Sequence, residues 1–418
     1  MAAPRADSYP ASSGAVVNAG RFALPSFVPA PGGTANVGLN SLTDVATCPS
    51  GLCWYSQGTG LKAPWINWCG AVYAPDFSPL GAMLYWGGGH SGGQDTTIFA
   101  FDFSTRLWST IGPVPATTLE ALGAEDATFG DYSWSGSKVL LAVHTYNYVT
   151  YIPANTGGAG SKGAWLITIV NSGGAPAGAN PHMVDLETGV WSRCATGTSL
   201  DFGSSSGMYG AAFLDTARNK VWYAAADSNN IFSLDLEASM PQSVAYTHDC
   251  WWSAYYAGLV YVPEVDMAIS FYMTAEDGPG GDVFVRVFDM SSGSPTNASC
   301  NHPPAHTMNL RGFGFDWCPI TEKFYLYEGK GYTTVHVLVP SSLDFTTCTW
   351  TWETETFSDV LFNPIEAGEG NFRPYSRWKY IPKLRCFAFA TSDSSSGATT
   401  SDSVVRNGVM QLWRPAGT

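Results

Sequence analysis

Tyr73-Ala74-Pro75, then Met83-Leu84-Tyr85-Trp86-Gly87-Gly88-Gly89, then Ile98-Phe99-Ala100-Phe101-Asp102, closing on Trp108, is the stretch that decides the fold. It reads as an aromatic-x-Pro corner, a hydrophobic strand broken at glycine, and a further strand ending in an Asp-containing turn and a tryptophan. The phrase returns with Tyr151-Ile152-Pro153, Trp165 and Val184-Asp185-Leu186 to Trp191, and with Phe213-Leu214-Asp215, Val221 to Asp227 and Phe232 to Leu236. Three more copies are headed by Tyr261-Val262-Pro263, Trp317-Cys318-Pro319 and Tyr380-Ile381-Pro382. A unit of roughly 50 residues made of short strands cannot bury its own faces, so tandem copies must pack on one another, radially in a propeller. The sequence therefore predicts an all-β, six-bladed β-propeller.

Composition agrees. Of 418 residues, 45% are hydrophobic, 14% aromatic and only 13% charged, so a large core is affordable and wholesale disorder is excluded. A net charge of −14 without clustered Lys or Arg argues against a nucleic-acid partner. No apolar run approaches the roughly 18 residues of a membrane span, so membrane insertion is not expected. The first ten residues contain no hydrophobic signal-like core. Nine cysteines are too few and too irregular for a disulfide scaffold. Cys48 and Cys53 are spaced to close a small loop, and the others suit buried thiols packed between blades. No Cys-x-x-Cys and His pattern marks a metal site.

The last repeat stops after Val409-Met410-Gln411-Leu412-Trp413 and lacks a fourth strand, whereas Leu52-Cys53-Trp54-Tyr55 resembles one just ahead of the first repeat. The expected division is an extended arm over residues 1–45 and a propeller over 46–418, closed by 52–55 pairing with 409–413. The arm, rich in Ala, Pro, Gly and Ser, is a candidate for docking on other proteins of an assembly. The connection from about Ile111 to Gly130 and the stretch 392–403 read as surface loops.

The unit Leu84-Tyr85-Trp86-Gly87-Gly88-Gly89-His90-Ser91-Gly92, followed by Ile98 to Trp108, resembles the Kelch-type propellers and the galactose-oxidase-like superfamily. The resemblance covers about residues 50–418 and implies the propeller fold; later repeats replace the double glycine, as with Ala225-Ala226-Asp227 and Glu328-Gly329-Lys330. Copper-radical chemistry of that superfamily would require two His, two Tyr and a Cys–Tyr crosslink, a constellation that does not map onto this chain. No cofactor and no metal are expected.

In a Kelch-like blade the approach to the innermost strand and the loop after the second strand share one face. Candidate ligand-binding residues there are Trp68, His90, His144, Tyr146, Asn147, Tyr209, Trp252, Tyr255, His306, Arg311, Arg373 and Arg377. Aromatics mixed with amides, His and Arg suit sugar rings, hydroxyls and carboxylates. By contrast, Trp54, Trp108, Trp191 and Trp350 fit inter-blade core, and Asp102, Asp185, Asp235 and Asp289 fit turns in which Asp accepts from local amides.

The favoured function is a non-catalytic propeller that recognises a glycan or other cell-surface ligand, extracellular or carried on a virion as a structural or receptor-binding protein. The initial Met, the lack of a signal and the low-complexity arm suit a virion component whose arm meets other virion proteins. An alternative is an extracellular polysaccharide lyase acting on uronate-containing glycans, with His144 or His90 and Tyr146 as proton-transfer groups and Arg311 neutralising the carboxylate. A third is a rigid assembly scaffold.

Overall fold

The computed structural model describes residues 8–10, 16–18, 23–40, 45, 69–86, 98–112, 120–121, 131–134, 137–140, 145, 147–167, 181–193, 195–196, 211–224, 230–237, 242–247, 258–273, 281–308, 313–329, 333–357, 374–391 and 409–418. Six sheets account for the repeats, the four strands of each blade running antiparallel, and the protein is an all-β, six-bladed propeller. From the axis outward, blade 1 is Gly70–Ala74, Ala82–Trp86, Ile98–Asp102 and Leu107–Ile111; blade 2 is Val149–Ile152, Ala164–Ile167, His182–Asp185 and Trp191–Arg193. Blade 3 is Ala211–Asp215, Lys220–Ala224, Asn230–Asp235 and Gln242–Thr247; blade 4 is Gly258–Val262, Met267–Met273, Gly281–Asp289 and Thr296–Ala298. Blade 5 is Gly314–Cys318, Lys323–Tyr327, Thr334–Pro340 and Trp350–Thr356, and blade 6 is Lys379–Ile381, Cys386–Thr391, Val409–Trp413 and Thr34–Asn36. Each innermost strand lies against the next, and that of blade 6 returns to that of blade 1.

Strand side chains alternate in direction, so a blade with a neighbour on each side buries both sets. In the second strand of blade 1, Met83 and Tyr85 pack with Ile381, Ala388 and Leu412 of blade 6. Ala82, Leu84 and Trp86 pack with Val149, Trp165 and Trp191 of blade 2. Every one of the six interfaces holds such a cluster among the described residues. The expected positions of Trp108, Trp191 and Trp350 in this core are met; Trp54 lies outside the described residues. Cys69, Cys318, Cys348 and Cys386 are buried free thiols, and Cys300 is a half-buried one. Cys48 and Cys53 fall outside the described residues.

The residue immediately before the second strand has a positive φ in all six blades: Gly81 (77°), Gly163 (78°), Asn219 (49°), Asp266 (54°), Glu322 (54°) and Arg385 (54°). Glycine occupies this place where the corner tyrosine packs directly on it. A Cβ at Gly81 would lie 2.5 Å from Cε2 of Tyr73, and one at Gly163 would overlap the Tyr151 hydroxyl. In blade 4 the corner Tyr261 instead donates its hydroxyl to Asp266 Oδ1 at 2.8 Å, so a side chain is accommodated there. After the third strand, Asp102, Asp185, Asp235 and Asp289 each accept the amide two residues on, at 2.8, 3.1, 2.9 and 2.8 Å. This is the turn role expected of them.

The corner face is also latched from blade to blade. Asp76 of blade 1 accepts from the Tyr151 hydroxyl (2.8 Å) and the Ala154 amide (3.0 Å) of blade 2. Arg218 of blade 3 pairs with Asp215 at 3.1 Å and with Asp266 of blade 4 at 2.6 Å. Asp316 of blade 5 accepts from the Tyr380 amide of blade 6 at 3.0 Å, and Lys383 of blade 6 donates to the carbonyls of Pro75 (2.8 Å) and Pro79 (3.0 Å) of blade 1.

Ring closure differs from expectation. The outer strand of blade 6 is Thr34–Asn36, with Thr34 opposite Trp413 and Asn36 opposite Gln411. Cys386–Thr391 takes the other edge of Val409–Trp413; residues 52–55, expected to pair there, lie outside those described. Thr34–Asn36, which falls within the expected arm, is therefore a strand of the propeller. Val37 is buried in the blade 6–blade 1 core, and Gln411 Nε2 donates to Asn36 Oδ1 at 2.9 Å. The stretch expected as a loop after Ile111 contributes Glu120–Ala121 to a three-stranded sheet with Asp131–Trp134 and Ser137–Leu140.

Two outcomes follow. Removal of residues 1–38 strips the outer strand from blade 6 and exposes an edge. Calorimetry should show a melting temperature lower by at least about 5 °C, whereas an unchanged value would contradict closure by Thr34–Asn36. Replacement of Arg218 by Ala leaves the fully buried Asp215 side chain without that partner. The pair is partly exposed, so the loss in denaturant unfolding should be roughly 2 kcal/mol, below the ~3–5 kcal/mol of a fully buried pair. Arg218 also holds the Asp266 carboxyl below its ordinary range. This contribution is present above the unfolded carboxyl value of about 3.9 and is lost as pH falls through the lower folded value.

Candidate functional site

Antiparallel pairing within each blade fixes which connections share a face. On the corner face the first and second strands are joined by 75–81, 153–163, 216–219, 263–266, 319–322 and 382–385. On the opposite, loop face depart 87–97, 168–181, 225–229, 274–280, 328–333 and 392–408, together with the inter-blade connections 112–148, 194–210, 248–257, 299–313 and 357–378. The longest connections all leave from the loop face.

Two polar assemblies are built at that face. The first surrounds the start of the innermost strand of blade 1. Thr145 Oγ1 accepts the Gly70 amide at 2.6 Å and donates to the Trp86 carbonyl at 3.1 Å, while Ser376 Oγ accepts the Ala71 amide at 3.0 Å. Blades 2 and 6 thus hold that strand through side chains. Arg377 is 2% exposed, donates Nε to the Pro374 carbonyl at 3.3 Å and sits over the Phe389 ring at 5.9 Å. Burial pushes the neighbouring Cys69 thiol up to about 12, although the Arg377 charge pulls it the other way.

The second assembly lies between blades 4 and 5. On the face of blade 5 toward blade 4, Phe324 and Leu326 of the second strand and Leu338 of the third are apolar core. The same parity continues to Glu328 and His336, which are 1% and 9% exposed. His336 Nε2 meets Glu328 Oε2 at 3.1 Å, and His336 Nδ1 meets His306 Nε2 at 2.8 Å. His306 stacks on Trp352 of the outer strand, ring centres 4.2 Å apart and planes 16° from parallel. His306 is presented by blade 4: the adjoining Thr307–Met308 pairs with Gly281–Asp282, and the Val283 amide donates to the His306 carbonyl at 3.3 Å.

Of the residues expected to bind ligand, the structure describes three. Asn147 is buried and gives its carbonyl to the Ala212 amide at 2.9 Å, His306 belongs to the Glu–His–His chain, and Arg377 is interior. Trp68, His90, His144, Tyr146, Tyr209, Trp252, Tyr255, Arg311 and Arg373 lie outside the described residues. Glu328, His336, Cys69, Thr145 and Ser376 were not anticipated. Strand parity was the available signal for Glu328 and His336, since each continues an apolar stripe with a titratable group. Among the described residues no group of three or more His, Cys, Asp or Glu is placed to hold a metal ion, and no helix is long and apolar enough to cross a membrane.

No protein-family model matches the chain, and no curated protein matches it. Among solved structures, an auxiliary nutrient binding protein from Bacteroides ovatus is similar at 14% identity and a TM-score of 0.43, covering 83% of this chain and 69% of that one. A putative 6-phosphogluconolactonase from Bacteroides uniformis matches at 12% identity and a TM-score of 0.35, covering 79% and 98%. Hydrazine synthase of Kuenenia stuttgartiensis matches at 10% and 0.39, covering 86% and 93%. Likeness at this level transfers neither ligand nor reaction.

The thiolate is the reactive form of cysteine, so Cys69 should resist alkylation. Brief iodoacetamide treatment of the native protein near pH 8, read by peptide mass spectrometry, should leave Cys69 unmodified, and labelling should appear only on unfolding. Fast labelling of the native protein would contradict its placement in the core.

Proposed function

We propose that this chain is a Kelch-like propeller that binds a carbohydrate or other cell-surface ligand on its loop face without chemically altering it, and that it works outside the cell or on a virion. The asymmetry of the two faces carries this reading. Connections between first and second strands on the corner face are occupied with latching blades together, whereas the longest connections leave from the other face. Their sequence supplies the side chains such recognition uses: Trp68, Tyr146, Tyr209, Trp252 and Tyr255 for stacking, Asn and His for hydroxyls, and Arg311 and Arg373 for a carboxylate.

Glycan-array screening followed by titration calorimetry tests the proposal. Binding to an oligosaccharide should weaken about tenfold in Trp252→Ala, and Arg311→Ala should weaken an acidic oligosaccharide more than its neutral counterpart, with added salt weakening only the acidic one. Equal losses for both sugars would remove the carboxylate contact, and absence of any binding on the array would remove the glycan. With acidic polysaccharide as substrate, the ultraviolet absorbance of an unsaturated uronate should stay flat; a rise abolished by His144→Ala would establish the lyase instead.

A further inference from the structure

Independently of the binding just proposed, the Glu328–His336–His306 chain has a constrained proton inventory. An N···N contact of 2.8 Å between two imidazoles is a hydrogen bond only if one nitrogen carries a proton and the other does not. Glu328 is buried, and its carboxylate accepts from His336 Nε2. His336 therefore offers Nδ1 to His306 as an acceptor when neutral, or as a donor when protonated. The assembly accommodates one added proton in either arrangement, because one imidazole stays neutral and the buried carboxylate balances the charge. A second added proton makes both rings imidazolium. Two N–H groups then face each other, and the bond that ties blade 4 to blade 5 is lost.

We propose that this chain is a proton-controlled clasp: residues 299–308 are held on blade 5 while the pair carries at most one added proton, and are released at the clasp end when the second is taken up. The geometry of the segment favours such a device. At its other end Asn301 Nδ2 donates to the carbonyls of Thr347 (3.1 Å) and Cys348 (2.9 Å), and its carbonyl accepts from Trp350 Nε1 at 2.8 Å. Trp352 Nε1 donates to the Pro304 carbonyl at 3.0 Å. These neutral bonds do not titrate, so the change is confined to His306 and to Thr307–Met308, which lead into the connection bearing Arg311.

Other ionisable groups lie on the elements packed around the clasp. On the outer strand of blade 5, Glu353 is held by Lys323 at 2.6 Å. Tyr327, beside Glu328 in sequence, is buried, and burial pushes its phenol up, well out of the range of imidazole. His302 of the same segment lies edge-on to Phe284, centres 5.7 Å apart. The third strand of blade 4 carries Asp282, opposite Thr307, and Arg286. Arg311 and Lys330 are close in sequence and outside the described residues. The closed clasp binds fewer protons than the open one, so closing is favoured as pH rises and opening as it falls.

Hydrogen exchange with mass spectrometry reads the clasp directly, with rates corrected for intrinsic pH dependence. Between about pH 8 and about pH 5, which brackets imidazole titration, protection within 305–308, resolved by overlapping peptides, should fall roughly tenfold, while 299–304 and peptides from blade 1 stay unchanged. His306→Phe keeps a ring on Trp352 but removes the titrating bond. Its protection over 305–308 should be low at both pH values and independent of pH. In Glu328→Gln the carboxylate no longer favours imidazolium, so the loss of protection should shift to lower pH. Constant protection in the wild type, or an unshifted transition in Glu328→Gln, would overturn the proposal; if His306→Phe fails to fold, the Glu328→Gln shift still decides it.

Discussion

Burial of both faces of every blade is the constraint on which the remaining structure depends. A strand with one wet face shows alternating hydrophobic and polar residues, but here alternate residues serve two different cores, and neighbouring blades supply the missing halves. Met83 and Tyr85 face blade 6 while Leu84 and Trp86 face blade 2, all within one strand of five residues. No blade is complete without both neighbours, so the first and last must meet. Polar groups confined between blades are then either fully bonded, as with Asp215 and Arg218, or costly.

This constraint explains what sequence reading could and could not see. Doubly buried strands stand out as continuous apolar runs, so the six repeats, their aromatic corners and their Asp turns were legible. An outer strand buries only one side and needs little hydrophobicity. Thr34-Ala35-Asn36 is therefore silent by composition, while the aromatic Leu52-Cys53-Trp54-Tyr55 attracted the assignment instead. What selects Thr34–Asn36 is backbone pairing with Gln411 to Trp413, together with Val37 filling the adjacent core. Neither is visible in residue type.

The candidate site shows the same division. His306 was legible as a histidine on the approach to an innermost strand. His336, within Thr334-Val335-His336-Val337-Leu338, is embedded in a run that reads as core, and Glu328 stands where the first repeat has glycine. Only the three-dimensional register, which places Leu326 opposite His336, brings those two groups to one interface. Arg377 poses the converse case. Scarce cations looked like ligand contacts, but this guanidinium packs inside against Phe389.

Charge distribution narrows the ligands open to the proposed loop-face site. With 34 acidic and 20 basic residues, the molecule repels an acidic polymer at long range. At physiological ionic strength that repulsion is damped beyond about 8 Å, whereas a guanidinium in contact with a carboxylate is screened far less. Arg218 and Arg377 are already committed to internal contacts and contribute nothing at such distances. Recognition of an acidic sugar would therefore rest on one or two arginines touching it. Selectivity would come from contact geometry and association would gain no electrostatic steering, in contrast to the broad basic surface that a nucleic-acid ligand demands.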